Sequence, residues 1–255
     1  ISSYRCFTSQ KAGWAVLAGV SLGLMHATKE TFVIAVGAIG LGVIVLLGSR
    51  LKNGQWLEST RQVKWSHVAI MIVSAAVVSM VFFSSFFTHP QGIVDSITTY
   101  TTYVDRAETS VHVQPWYFYF QLLFFYQFAD GPFFTEWIIL LLALTGVRVA
   151  IRGNVPFGCP AFIRFLAVFT LSMAGVYALI PYKTPWCLLG FYHGMLLLAG
   201  VGGMWLLQLR AKAVRVTAIV VLALGSLHLG QQSYAANFQY FSDSRNPHVY
   251  GHTSV

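Results

Sequence analysis

Seven long apolar runs constrain this chain more than any other feature of its sequence. The runs cover about 13–27, 31–48, 67–87, 133–150, 161–181, 185–207 and 213–230. Most of them reach the roughly 17–25 apolar residues that a helix needs to cross the hydrocarbon core of a bilayer. A chain of 255 residues that is 56% hydrophobic and only 9% charged therefore predicts an all-α polytopic membrane protein with about seven transmembrane helices.

The distribution of charge predicts how these helices are oriented. With the runs taken as spans, twelve of the sixteen Lys and Arg residues fall in loops on one side, and seven of the eight acidic residues fall on the other. Because Lys and Arg accumulate in cytoplasmic loops, we expect a cytoplasmic N-terminal end and an external C-terminal tail. Lys and Arg side chains at the cytoplasmic ends of spans bind the phosphates of lipid headgroups. They explain the net charge of +8 without nucleic acid, which we exclude as a partner.

Two segments outside the spans have a character of their own. The run 116–126 is densely aromatic but too short to cross a membrane, and such rings settle at the headgroup level. It predicts an external helix lying in the interface. The tail becomes polar after the last span, which predicts a transmembrane region over 1–231 and the start of an external soluble domain over 232–255. A segment this short cannot build a core alone, so we read the chain as part of a longer membrane protein.

Small residues predict where helices pack closely. Ala15, Gly19 and Gly23 recur every four residues in the first span, and Gly200, Gly202 and Gly203 cluster in the sixth. Such residues let helix backbones approach each other in lipid. The three cysteines, by contrast, have no metal-ligand spacing, and no metal site is predicted.

Two lysines are the leading candidates for a site at the predicted outer boundary. Lys29 lies in the tight turn 27–31, and Lys183 lies in the turn 180–186. Pro181 and Pro185 prevent the spans on either side of the second turn from forming one continuous helix. An ammonium is a compact charge suited to a lipid-linked phosphate, whereas the alternative for Lys183 is ordinary snorkelling to the interface. Glu30 would orient Lys29, act as a base or pair with it, and all three roles remain open.

Aromatic and polar neighbours form a supporting set. Tyr182, Thr184 and Trp186 could supply hydrogen bonds and a ring face, and their alternative is the aromatic belt of any membrane protein. His112 titrates near neutrality and could carry a proton or bind phosphate beside Trp116 and Tyr117; the alternative is a solvated loop histidine. Weaker candidates, chosen by residue type alone, are His26, Asp105, Arg106 and Glu108.

Several of these motifs together resemble a known family. The segment 18–30, AGVSLGLMHATKE, is similar to membrane glycosyltransferases of the GT-C superfamily, relatives of protein O-mannosyltransferases and the lipid A aminoarabinose transferase. With PYKTPW at 181–186 and HVQPWYFY at 112–119, the chain most closely resembles a prokaryotic branch labelled as flippase-activity-associated in archaeal protein glycosylation. The ending YGHTS at 250–254 is also similar to that branch. The resemblance runs from about Lys11 to the end.

The resemblance implies a function at a prokaryotic cell membrane. It implies transfer of a sugar from a polyprenyl-phosphate donor, held in a lipid groove, to an acceptor of unknown identity at the outer face. The expected catalytic carboxylate belongs to an external loop ahead of the first residue here, so the catalytic residue is unknown in this sequence. Lys29 and Lys183 would bind the donor phosphate, and a divalent metal is left open.

The alternative function is a flippase or flippase accessory that moves or presents lipid-linked sugar without bond chemistry. Transporters usually carry polar or broken-helix sites at the bilayer midplane. The predicted spans have centres nearly free of charge, and the candidates lie at the outer boundary. This pattern favours an enzyme that works at the membrane surface.

Overall fold

The computed structural model describes residues 2–52, 64–109, 113–247 and 249. Within these ranges the regular structure is helical, and extended pairing is confined to two isolated β-bridges. The helices are α1 (Ser2–Ser9), α2 (Ala12–Thr28), α3 (Phe32–Lys52), α4 (Trp65–Phe83), α5 (Gln91–Thr109), α6 (Phe118–Phe124), α7 (Trp137–Arg152), α8 (Pro160–Leu179), α9 (Leu189–Leu207) and α10 (Lys212–Tyr234). A 3₁₀ turn, Pro185–Leu188, precedes α9, and a π turn, Ala235–Gln239, follows α10.

The described helices confirm the all-α class and suit a multi-pass membrane protein. Five helical segments are long and apolar enough to cross a bilayer: Phe32–Ser49, Trp65–Phe83, Pro160–Leu179, Pro185–Leu207 and Lys212–Gln239. The two other predicted spans form α2 and α7, which are shorter, at 17 and 16 residues. Helix α7 begins at Trp137 and not at 133, because Phe134 and Tyr126 exchange backbone hydrogen bonds of 2.8 and 2.9 Å.

The third predicted span, 67–87, ends earlier than the apolar run does. Helix α4 stops at Phe83, and Ser85, Phe86 and Phe87 follow with positive φ angles of 50°, 57° and 70°. This left-handed region is unfavourable for residues with a Cβ. Ser84 stabilises the turn, because its hydroxyl accepts a 3.0 Å hydrogen bond from the Phe87 N–H and its carbonyl accepts one of 2.8 Å from His89.

Helix α5 was not predicted, because its hydrophobic pattern is misleading. The inward-facing positions include Ser96, which is buried, and Thr99, which is half-buried, whereas Val94 and Ile97 are exposed. Thr and Tyr are also weak helix formers. The sequence therefore read as a polar loop where the structure has an amphipathic helix of 19 residues.

The described helices form two compact units, the first comprising Ile1–Gly40 and Ile44–Thr109, and the second Leu41–Val43 and Ser110–Val255. In the first unit α2 packs against α4. A Cβ on Gly23 would lie 2.6 Å from the Ala75 carbonyl oxygen, and one on Gly19 would meet the Met71 carbonyl. The predicted close packing of the first span is therefore confirmed.

In the second unit α7 packs against α9 in the same way. Gly146 contacts the backbone of Leu198, and Gly202 contacts the Leu142 carbonyl and the Gly146 nitrogen. A Cβ on Gly200 would meet nothing within 4 Å. The predicted packing role in the sixth span is confirmed at Gly202 and wrong at Gly200.

The C-terminal segment turns back on the end of α10. Asn246 is buried, and its Nδ2 donates 3.0 Å hydrogen bonds to the carbonyls of Ala236 and Tyr240. Arg245 forms an ion pair of 2.7 Å with Asp243. The predicted boundary at 231/232 falls inside α10, because the helix continues to Tyr234; a soluble domain beginning at 232 stays a prediction.

Candidate functional site

The turn between α2 and α3 forms one wall of a polar cavity in the first unit. The turn is short because the Phe32 N–H donates to the Lys29 carbonyl (3.1 Å) and the Thr28 hydroxyl donates to the Met25 carbonyl (3.0 Å). Helix α5 closes the opposite side. The resulting cavity of about 300 Å³, here called the hairpin pocket, is lined by His26, Ala27, Thr28, Lys29, Glu30, Phe83, Gly92, Asp95, Ser96, Thr99 and Tyr100.

The hairpin pocket combines a cation, two carboxylates and a phenol. Lys29 is exposed and Glu30 is half-buried, and Asp95 accepts a 3.3 Å hydrogen bond from the Gln91 amide. The Tyr100 hydroxyl is buried and has no hydrogen-bond partner among the described residues. Burial, and then the negative charge of Glu30, raise the pKa of Tyr100. The phenol therefore stays protonated at neutral pH and remains a hydrogen-bond donor for a ligand.

An apolar cavity of about 390 Å³ adjoins the hairpin pocket and shares His26, Phe83 and Ser96 with it. This apolar groove lies among α2, α3, α4 and α5. Its remaining lining residues are Leu22, Phe32, Val36, Met71, Ile72, Ala75, Ala76, Ser79, Met80, Ile93 and Ile97. Hence a polar cavity and an apolar cavity meet at the end of the predicted spans.

His26 stands at the junction of the two cavities. Its Nδ1 lies 3.1 Å from the Ser79 hydroxyl, and its ring centroid lies 4.6 Å from Phe32 and 4.8 Å from Phe83. The sequence made His26 a weak candidate, because a lone histidine at a helix end has many roles. The structure gives it a defined place, with α2, α3 and α4 all contributing to its surroundings.

Lys183 is buried, with 2% of its surface exposed. Its ammonium donates to the carbonyl of Ile180 and, over 3.1 Å, to that of Gln114. The Gln114 N–H in turn donates to the Pro181 carbonyl (3.0 Å), beside a β-bridge between Val113 and Tyr182. Burial lowers the pKa of Lys183. One ammonium hydrogen thus ties the segment before α6 to this turn, and a second is used within the turn itself. The phosphate role of Lys183 stays a prediction.

The supporting residues differ in how accessible they are. Thr184 is 1% exposed, its carbonyl accepts a 3.2 Å hydrogen bond from the Tyr119 hydroxyl, and its own hydroxyl lies 3.2 Å from the Cys187 sulfur. Trp186 is exposed and Tyr182 is half-buried. Thr184 is therefore a packing residue in this structure, whereas Trp186 presents part of its ring at the surface.

The aromatic segment forms a shorter helix than predicted. Helix α6 has seven residues, of which Tyr119, Leu122 and Leu123 are buried. Trp116 and Tyr117 precede it and are exposed, with their rings in edge contact at 5.8 Å. His112 lies outside the described residues, as do the side chains of Asp105, Arg106 and Glu108.

A half-buried carboxylate in the second unit was not among the residues predicted for the site. Glu136 precedes α7, and its two oxygens accept hydrogen bonds from the Tyr192 hydroxyl (2.9 Å) and the Gln232 amide (2.8 Å). The Gln232 side-chain oxygen accepts the Thr135 N–H at 2.8 Å. The available signal was an acidic residue inside the apolar run 133–150, since burying an ionisable group near a membrane is costly and requires partners.

Glu136 also lines the largest of the three cavities named here, of about 510 Å³. We call it the Glu136 pocket; it is lined by Phe134, Glu136, Leu229, Gln232, Ser233, Ala236, Asn237, Phe241, Asn246 and Val249. Lys29 belongs to the first unit, whereas Lys183 and Glu136 belong to the second. Across the described ranges, no three His, Cys, Asp or Glu side chains converge in a way that could hold a metal ion.

Comparison with known proteins adds no assignment. No protein-family model, curated protein or solved structure matches the chain.

Proposed function

We propose that this protein is a membrane glycosyltransferase that moves a sugar from a polyprenyl-phosphate donor to an acceptor at the outer face of the membrane. The observation that carries the proposal is the junction of the hairpin pocket with the apolar groove. A polyprenyl-phosphate sugar has the same two parts, a charged and hydroxyl-rich head on an apolar chain. Ligand sites typically combine apolar walls with a few placed polar groups.

The residues of the hairpin pocket suit the phosphate of such a donor. The Lys29 ammonium would lie against the phosphate, and at 4 Å this contact has a Coulomb energy of about 4 kcal/mol at an effective dielectric constant near 20, before desolvation. The Tyr100 hydroxyl supplies a second donor. Both groups would be reached from the apolar groove past His26.

In the proposed reaction, an acceptor oxygen or nitrogen attacks the anomeric carbon of the sugar. The bond from that carbon to the phosphate oxygen breaks, polyprenyl phosphate leaves with the electron pair, and the acceptor loses a proton. Lys29 would offset the negative charge that grows on the leaving phosphate, a contribution that lowers the barrier. The resemblance implies a carboxylate that accepts this proton, and no catalytic base is assigned among the described residues.

The apolar groove bears on the alternative, a flippase. Moving a charged headgroup across a bilayer requires polar groups along the path. The described lining of the groove carries no Lys, Arg, Asp or Glu, and its polar members are His26, Ser79 and Ser96. This lining suits a lipid chain whose head remains at the hairpin pocket.

The test is transfer of radiolabelled sugar from a polyprenyl-phosphate donor by the full-length protein that contains this chain, reconstituted in liposomes. Lys29→Gln removes the charge, and we expect transfer to fall about 100-fold, the loss typical of one transition-state charge contact. Lys212→Gln is the matched control, because Lys212 is exposed and lines neither cavity. Equal loss in both variants, or none in Lys29→Gln, would overturn the role of Lys29.

A second pair of variants tests the apolar groove. Ala76→Phe would fill it, whereas Val77→Phe adds bulk at a neighbouring position that does not line it. We expect only the first to abolish photocrosslinking of a polyprenyl phosphate that carries a diazirine in its chain. Specific crosslinking without transfer to any acceptor would favour the flippase alternative, and absence of both would contradict the proposal.

A further inference from the structure

The Glu136 pocket is separate from the cavities of the proposed donor site, and the function proposed above makes no use of it. Every residue lining it belongs to the second unit and comes from 134–136, the end of α10 and the turns that follow. Its volume of about 510 Å³ lies within the roughly 300–1,000 Å³ of small-molecule sites. The cavity therefore has room for an organic ligand.

The carboxylate of Glu136 is held in place rather than left mobile. Oε2 accepts from the Tyr192 hydroxyl and Oε1 from the Gln232 amide, while Gln232 itself is fixed by the Thr135 N–H. A carboxylate has about four acceptor positions, so each oxygen retains capacity for a further donor. Three separate parts of the chain thus position an acceptor at the wall of this cavity.

The charge of the lining disfavours anionic ligands. Among the described residues that line the pocket there is no Lys, Arg or His, and Glu136 is acidic. A phosphate or carboxylate would enter without a compensating cation and would be repelled by Glu136. This pocket consequently differs in kind from the hairpin pocket, where Lys29 faces the cavity.

The other polar groups both donate and accept. Ser233 and Asn237 are exposed. The Asn237 amide donates one N–H to the Ser233 carbonyl (2.8 Å). Its oxygen and its second N–H can therefore bind a ligand. Phe241 lines the cavity with 56% of its surface exposed. Hydroxyl groups need this mixture of donors and acceptors, and the C–H face of a sugar ring packs on an aromatic ring.

We propose that the Glu136 pocket binds a neutral polyhydroxylated ligand, a sugar ring in chemical class, with Glu136 and Asn237 on its hydroxyls and Phe241 against its face. This inference stands on the second unit alone and does not depend on lipid binding by the first. Its test uses no lipid-linked donor, so its failure and the failure of the proposed function are distinguishable.

The test is saturation-transfer NMR on the protein in nanodiscs. The probes are the neutral methyl glycosides of glucose, galactose, mannose and N-acetylglucosamine, with methyl glucuronide as an anion and glucosamine as a cation. We expect saturable binding of at least one neutral glycoside and none of the glucuronide. Glu136→Gln should raise its Kd about tenfold, as expected for the loss of a charge-assisted hydrogen bond.

Phe241→Ala is the second variant, because an exposed ring can be removed without disturbing the packed part of the fold, and it should also weaken binding. Asp130→Asn is the matched control, since Asp130 is an exposed carboxylate that does not line the pocket. The inference is overturned if no neutral glycoside binds, if glucosamine alone or the glucuronide binds, or if neither Glu136→Gln nor Phe241→Ala changes the Kd.

Discussion

Lys183 and Lys29 show how differently two lysines in tight turns are used. Lys29 is exposed and lines a cavity, whereas Lys183 is 2% exposed and donates to two backbone carbonyls. From the sequence, both lysines were predicted to bind phosphate, because both lie in tight turns between apolar runs. The sequence does not show what either ammonium contacts in the folded protein. The Gln114 partner is 69 residues away in the chain, and a contact of that range is not visible in local spacing.

The structure predicts that Lys183 stabilises the fold. Lys183→Met keeps most of the side-chain volume but leaves the Gln114 and Ile180 carbonyls without this donor. A buried acceptor left unsatisfied costs about 1–3 kcal/mol, so we expect a Tm lower by roughly 2–12 °C at about 2–4 °C per kcal/mol. Thermal unfolding in detergent measures the shift. Lys64→Met, at an exposed lysine, should change little, and a similar shift in both would refute the prediction.

The stability that depends on Lys183 should also vary with pH. Burial lowers its pKa in the folded state below the ordinary value of 10.5. At a pH between the lowered pKa of the folded state and the ordinary pKa of the unfolded state, Lys183 is protonated more fully in the unfolded chain than in the folded protein. The free energy of unfolding therefore rises with pH across that range. We therefore expect the difference in Tm between the wild type and Lys183→Met to grow as pH is raised towards 10.5. A difference that shrinks over this range would show that the ammonium is not desolvated.

At the scale of elements, helix packing was largely predictable and loop structure was not. The glycines of the first and sixth spans predicted close approach, and Gly19, Gly23 and Gly202 do face neighbouring backbones. Helix α5 was missed, because its buried stripe includes Ser96 and Thr99 rather than apolar residues. Hydrophobic periodicity reveals a helix by its apolar face. A helix that lines a polar cavity lacks a continuous apolar face.

The close contact between α2 and α4 predicts that a larger residue at Gly23 destabilises the protein. Gly23→Ala places a methyl group 2.6 Å from the Ala75 carbonyl oxygen and 2.7 Å from the Val78 Cβ, so the helices must separate. Overpacking of this kind costs about 1–3 kcal/mol. Gly37→Ala in α3 meets nothing within 4 Å and should not destabilise. Thermal unfolding of both variants decides the matter, and equal Tm values would contradict the packing.

At the scale of the whole molecule, the chain is helical across its described residues and carries five helices long enough to cross a membrane. Apolar composition alone predicted that class. The ends of the spans were harder to predict, because Phe134 and the phenylalanines after Phe83 are as apolar as the helices beside them. Only backbone pairing and left-handed turns separate them from the helices, and neither is encoded in hydropathy.

The orientation predicted from the charges is directly testable. Cys159 is exposed in the loop before α8, which the charge pattern places in the cytoplasm, and Ser244 is exposed after α10, on the external side. In intact cells a membrane-impermeant maleimide should label Ser244→Cys at the introduced thiol and leave Cys159 unmodified. Cys159 should react once the membrane is permeabilised. Peptide mass spectrometry locates the adduct, and labelling of Cys159 in intact cells would reverse the orientation.

The apolar groove has a further consequence for how a long lipid would be recognised. Its volume of about 390 Å³ accommodates a few isoprene units, and the rest of a polyprenyl chain would remain among the bilayer lipids. Such a protein would contact only the head of its donor and the first isoprene units, so the length of the remaining chain would not affect binding. Donors shortened to those first units should compete with full-length ones, so the same protein could work in membranes whose carrier lipids differ in length.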